Sequence, residues 1–133
     1  MEALLVDIQL TVKINGSEMI AFLCFKNVDS KKLYLDEQTI CFDNRVRGNY
    51  FKVNDEQGEK VDYIGMLVSR EIKPELFVTL NPTEKVEAKI SLNEVYELKK
   101  GMKYTIQYST YHPSYLKEQH FAKIESNKVE LTY

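Results

Sequence analysis

The stretch at residues 91–108, SLNEVYELKKGMKYTIQY, decides the fold, because a glycine separates a polar crossover from an alternating strand. After Gly101 the apolar residues occupy every even position, which is the period of a half-buried β-strand. Tyr104 is in phase with them, so we expect its ring between two sheets and its hydroxyl bonded to upstream backbone. Tyr96, in the crossover, is expected to pack over the sandwich end. We therefore predict structural roles for Tyr96, Gly101 and Tyr104.

The N-terminal residues predict a β-hairpin. Every even position from 4 to 14 is apolar, as in a strand with one face in water. Asn15-Gly16 follows, and this pair is the strongest short hairpin signal. The next run, MIAFLCFKN at 19–27, is apolar nearly throughout and predicts a central strand covered on both faces.

Turn residues divide the rest of the chain into further short strands. The predicted elements are a strand at 38–43, a hairpin turning at 55–58, strands at 76–80 and 85–92, and two short strands about Ser126 and Asn127. Seven to nine strands at this spacing are typical of an all-β, immunoglobulin-like antiparallel β-sandwich. Without an internal repeat or linker, residues 1–133 are predicted to form one domain. Its core is expected to include Phe22, Phe25, Phe42 and Tyr104.

Composition excludes several classes of partner. A net charge of -2 and a pI near 5.7 give no general attraction to nucleic acid. No apolar run approaches the roughly 20 residues that span a bilayer. The N-terminus has an acidic residue where a signal peptide would be basic. We expect a cytoplasmic protein, or an extracellular one if a leader has been removed.

No catalytic or metal-binding motif is present in the sequence. Cys24 and Cys41 have apolar neighbours and are predicted to be core thiols, although a disulfide between them stays open. His112 and His120 have only Glu118 nearby, too few ligands for a zinc site. We expect solvated loop histidines, and neither a metal nor a cofactor.

The segment STYHPSYLKEQHF, residues 109–121, is the strongest candidate for binding. Tyr111, His112 and Tyr115 are predicted to lie in a loop at the sandwich end, where tyrosines make good protein contacts. The alternative is that these rings pack on the end of the sandwich.

The second half of the chain resembles the immunoglobulin-like domain that precedes the catalytic domain of deuterolysin-type, lysine-specific zinc metalloendopeptidases. The resemblance covers roughly residues 60–131. Its elements are Tyr63-x-Gly65, Leu80-Asn81-Pro82, Leu92 with Tyr96, Gly101-x-x-Tyr104 and Ser126-Asn127-x-Val129. The family's His-Glu-x-x-His helix is absent from this sequence, and Thr83 replaces the usual glycine after Leu-Asn-Pro. The resemblance therefore implies a fold and an accessory role without proteolysis.

The expected function is a non-catalytic protein-interaction module, with a peptidase as one candidate partner that it would assist or inhibit. Two alternatives stay open. The first is a metal-dependent hydrolase whose site is assembled from distant strands. The second is a structural domain with no separate activity. The sequence does not indicate an oligomeric state.

Overall fold

A computed structural model describes residues 4–115 and 120–133. These residues form an antiparallel all-β sandwich, which confirms the predicted fold class. Its eight strands are β1 (Val6–Asn15), β2 (Glu18–Asn27), β3 (Leu33–Asp36), β4 (Phe51–Asn54), β5 (Phe77–Leu80), β6 (Lys85–Ser91), β7 (Lys103–Pro113) and β8 (Phe121–Thr132). Single 3₁₀ turns lie at Pro74–Leu76 and Leu92–Glu94, and Phe42–Asn44 forms a turn in which Asp43 and Asn44 have positive φ. Within the described ranges, no helix has the length and apolar character needed to cross a membrane.

The strands pair in three sheets. Strands β1-β2-β6 form one layer and β4-β7-β8 the other, while β3 and β5 form a separate two-stranded sheet. The two larger sheets have the strand order that immunoglobulin-like sandwiches use for their opposed layers. Between them the apolar side chains join in one buried cluster, in which Phe25 and Tyr108 meet edge to face at 5.3 Å.

The first hairpin forms as predicted, but β2 has one exposed face. Asn15 pairs with Glu18 around Gly16, whose φ of +62° suits the turn. The side chains of β2 alternate, so Phe25 is buried while Phe22 is 36% exposed. On the outer face of β2 Ile20 is buried, but Phe22 and Lys26 are exposed, so the predictions that β2 is covered on both faces and that Phe22 is core are wrong.

Three predicted elements in the rest of the chain differ. Residues 38–43 form a turn rather than a strand, since the backbone takes positive φ at Cys41, Asp43 and Asn44, and Phe42 is only partly buried. The hairpin after β4 continues only as an isolated bridge between Asn54 and Lys60. The two short strands predicted near the end are one continuous strand, β8.

Buried tyrosine hydroxyls are bonded to backbone. Tyr104 accepts a hydrogen bond from Lys99 N at 2.8 Å, the geometry of a tyrosine corner, and Gly101 precedes it with φ +85°. Tyr96 accepts one from Phe51 N at 3.0 Å and so covers the outer edge of β4. Burial raises the pKa of the Tyr96 hydroxyl well above its ordinary value, because the ionised form would lose its hydration.

A bulge in β8 joins the two layers along one side. Tyr108 lies opposite both Ser126 and Asn127, because the β7–β8 register shifts between Gln107 and Ser109. The extra residue directs the Asn127 side chain toward β1, where its carbonyl accepts from Leu10 N at 2.7 Å and its amide donates to Leu10 O at 3.0 Å. Asn127 thus takes the place of a neighbouring strand on the edge of β1.

We expect Asn127→Ala to lower the free energy of unfolding by about 1–2 kcal/mol, because both polar groups of Leu10 lose their partner. Urea unfolding followed by circular dichroism measures this change. Lys128→Ala, at the exposed neighbouring position, is the control and should stay within about 0.5 kcal/mol of the parent. Equal stability of the two variants would contradict the bridging role of Asn127.

The turn between β5 and β6 holds a threonine in a conformation that favours glycine. Glu84 N donates to Asn81 O at 3.0 Å, and Thr83 has φ +72°. With Pro82 before it, Thr83 occupies the position of a type II turn that requires positive φ.

Replacing Thr83 with glycine should raise the stability by about 0.5–1 kcal/mol, since relief of the left-handed strain exceeds the entropy that glycine adds to the unfolded chain. The urea midpoint reports the change. Thr79→Gly, on the exposed face of β5, is the matched control and should be destabilising. A lower midpoint for the Thr83 variant would show that the turn carries no such strain.

Candidate functional site

The segment of residues 64–73, IGMLVSREIK, crosses the surface between β4 and β5 without regular secondary structure. We call it the strap. Its apolar side chains point into solvent, with Met66 63% and Leu67 76% exposed. Ile64, Val68 and Ile72 are exposed as well. Large exposed apolar groups in one short segment are unusual for a surface that meets only water.

The N-terminal part of the strap is held by Tyr63. Its hydroxyl donates to Met66 O, and its ring lies so close to Gly65 that a Cβ there would come within 2.6 Å of the hydroxyl oxygen. Ile64 N donates to Val95 O at 2.8 Å. The Tyr63-x-Gly65 pair in the sequence is therefore explained by close packing of the ring on the backbone.

The C-terminal part of the strap is hydrogen-bonded to the segment between β3 and β4. Val68 N donates to Arg47 O at 2.8 Å, and Gln38 Nε2 donates to Val68 O at 2.9 Å. The other atom of the same amide, Gln38 Oε1, accepts from Arg70 Nε at 2.9 Å. Gln38 is thus bonded to the strap at two points.

Asp36, at the end of β3, is the buried anchor of this region. Its side chain is 1% exposed and forms an ion pair with Arg70. The other carboxylate oxygen accepts from Thr39 N at 3.1 Å and from Thr39 Oγ1 at 2.5 Å. A buried carboxylate needs this many partners to offset the loss of water.

A cleft of about 240 Å³ lies beside the strap, and the Asp36–Arg70 pair forms part of its lining. Part of its wall comes from the strap and part from the end of the β7–β8 hairpin. Its lining residues are Asp36, Gln38, Thr39, Tyr50, Val68, Ser69, Arg70, Ile72, Tyr111, Pro113 and Phe121. Val68 and Ile72 of the strap therefore share one surface with Tyr111 and Phe121 of the hairpin.

The three predicted contact residues have different surroundings. Tyr111 is 62% exposed and lines the cleft. Tyr115 is partly buried and stacks on Tyr34 at 4.0 Å, so its ring packs on the sandwich end, which was the alternative. The prediction that His112 is a solvated loop and contact residue is wrong, because β7 continues through Pro113 and His112 is 2% exposed.

His112 instead connects β7 with β3. Its Nε2 accepts a hydrogen bond from Asp36 N at 2.8 Å, so the ring is neutral at that atom. Burial lowers the pKa of His112 to about 4, and the nearby Asp36 carboxylate opposes this shift only in part. An imidazole used in this way has no lone pair at Nε2 left for a metal ion.

The remaining candidates are the two cysteines and the possible metal ligands. Cys24 and Cys41 are free thiols rather than a disulfide. Cys24 is only partly buried, contrary to the prediction of a core position, and burial raises the pKa of Cys41 to about 12. Among residues 4–115 and 120–133, no group of three or more His, Cys, Asp or Glu side chains is arranged to hold a metal ion. Glu118 lies outside the described residues.

The apolar residues of the strap follow the turn predicted at 55–58, so their pattern is that of the second strand of a hairpin. Ile64, Met66 and Val68 alternate as a strand would, but Leu67 breaks the alternation with a large apolar group on the other face. That interruption is the feature of the sequence that argues against a strand here.

In comparisons with known proteins, no protein-family model matches this chain, and no curated protein matches it.

We expect His112 to make the fold sensitive to acid. Between pH 6.5 and about 4 the unfolded chain binds a proton at His112 and the folded chain does not, so stability falls as the pH falls through this window. His112→Gln should reduce the loss of stability between pH 7 and pH 4.5 by about 2 kcal/mol. Urea unfolding at the two pH values measures it.

His120→Gln, at an exposed position, is the control for the general effect of replacing a histidine. An identical pH dependence in the His112 variant and the parent would contradict the burial of a neutral imidazole.

Proposed function

We propose that this protein is a non-catalytic interaction module that binds a protein partner through the strap and the adjoining cleft. The observation that carries the proposal is the distribution of exposed apolar side chains. Of the eleven large ones among the described residues, five lie on the strap and two, Tyr111 and Phe121, lie at the cleft. Concentrated exposed apolar surface is typical of protein interaction sites.

The fixation of the strap supports the same proposal. The contacts of Tyr63, Gln38 and Arg70 hold the main chain of the strap in place before any partner arrives. A preorganised surface loses less conformational entropy on binding than a free loop would. The resemblance to a domain that precedes a peptidase makes a peptidase one candidate partner.

The double substitution Met66→Ser and Leu67→Ser tests the surface. If both side chains are buried in the complex, affinity should fall by at least tenfold, since each buried apolar side chain contributes about 1.5–3 kcal/mol. A partner retained from the source cell by the immobilised protein would be purified and titrated against each variant. Thermal unfolding should stay unchanged because both side chains are exposed.

Leu5→Ser with Val28→Ser is the matched control, because these side chains are 48% and 54% exposed and lie outside the strap and cleft. It should bind like the parent. Unchanged affinity of the strap variant would contradict the proposal. Zinc bound at one ion per chain, measured by elemental analysis, would favour the hydrolase alternative instead.

A further inference from the structure

The strap presents backbone as well as side chains. The N–H groups of Gly65, Met66 and Leu67 have no hydrogen-bond partner among the described residues, and these residues lie at the surface. A partner that binds this segment can therefore pair with its main chain and take up an apolar side chain in a pocket. Endopeptidases bind their substrates in this way, as a single strand with one side chain in a specificity pocket.

Both sides of Leu67 are anchored independently. On the N-terminal side, the carbonyl of Met66 accepts a bond from Tyr63. On the C-terminal side, Val68 is bonded through its N–H to Arg47 and through its carbonyl to Gln38. The two peptide bonds that flank Leu67 thus lie between backbone groups of Met66 and Val68 that hydrogen bonds hold in place.

Cleavage of the chain beside Leu67 would not separate the two fragments of the protein. Each of the three sheets contains strands from both sides of Leu67, namely β2 with β6, β4 with β7, and β3 with β5. The two fragments would have to break these pairings to separate. The new chain ends would therefore stay near each other and near the peptidase.

We infer that the partner is an endopeptidase with a pocket for a large apolar side chain, and that the strap enters its active-site cleft around Leu67 as a slowly cleaved, inhibitory segment. This inference rests on the proposed function. Cleavage adds water across one peptide bond: the carbonyl carbon gains the hydroxyl, the nitrogen gains the proton, and the C–N bond breaks. Inhibition follows because neither fragment leaves.

Chymotrypsin, which cuts after large apolar residues, and thermolysin, which cuts before them, are the probes. The protein should inhibit at least one of them on a small chromogenic substrate. Mass spectrometry should place the first cut beside Leu67. The nicked chain should elute as one intact particle in size-exclusion chromatography and separate only in denaturant. A first cut elsewhere, or no inhibition of either enzyme, would overturn the inference.

Gln38→Ala tests the anchoring, because it removes the bonds to Val68 and Arg70. Cleavage beside Leu67 should become at least tenfold faster and inhibition should weaken accordingly. Gln57→Ala, at the exposed turn after β4, is the control and should behave as the parent. Urea unfolding checks that the Gln38 variant still folds. If the folded variant is cleaved at the same rate as the parent, Gln38 does not anchor the strap.

Leu67→Asp separates this inference from the proposed function. Loss of inhibition by this variant supports both the proposed interaction surface and the peptidase inference. If Leu67→Asp loses a cellular partner while the parent inhibits neither probe and is not cut at the strap, the interaction surface stands and the peptidase inference is wrong. If Leu67→Asp changes neither partner binding nor inhibition, both proposals fail.

Discussion

The buried carboxylate of Asp36 is the constraint on which this end of the molecule depends. A carboxylate removed from water is tolerated only where charges and hydrogen bonds replace its hydration. Here Arg70 and Thr39 bond the side chain while the backbone N–H of Asp36 donates to His112. The strap, the turn after β3 and strand β7 are therefore joined at one residue, and the position of the exposed apolar surface follows from that junction.

Side chains also cover several strand edges in this fold. Asn127 bonds both backbone groups of Leu10, Tyr96 accepts from Phe51 on β4, and Asn44 Oδ1 accepts from Lys89 N on β6 at 2.7 Å. Each bond occupies backbone that would otherwise be free to pair with another chain. The strap differs, because its main chain around Leu67 is accessible. Among the described residues this backbone is free at the strap, whereas at Leu10, Phe51 and Lys89 it is already bonded.

The sequence predicts correctly those strands that have one face in the core and the other exposed to solvent. The alternation in β1, β6 and β7 correctly identified strands, and Asn15-Gly16 identified the first turn. The prediction failed at 38–43, where an apolar run folds as a turn with positive φ. It also failed at the strap, where apolar residues lie in water. Hydrophobicity indicates burial only on average, because much of the surface of a folded protein is itself apolar.

The sequence by itself determined the strand class, most strand positions and the inward direction of Tyr104, because the period of two is a local property of the chain. Tertiary structure alone decided that His112 is buried, that Arg70 meets Asp36 and that Tyr111 shares a surface with the strap. His112 and Asp36 are 76 residues apart, and Arg70 and Asp36 are 34 apart. No local pattern encodes such pairs, since they exist only after the sheets have packed.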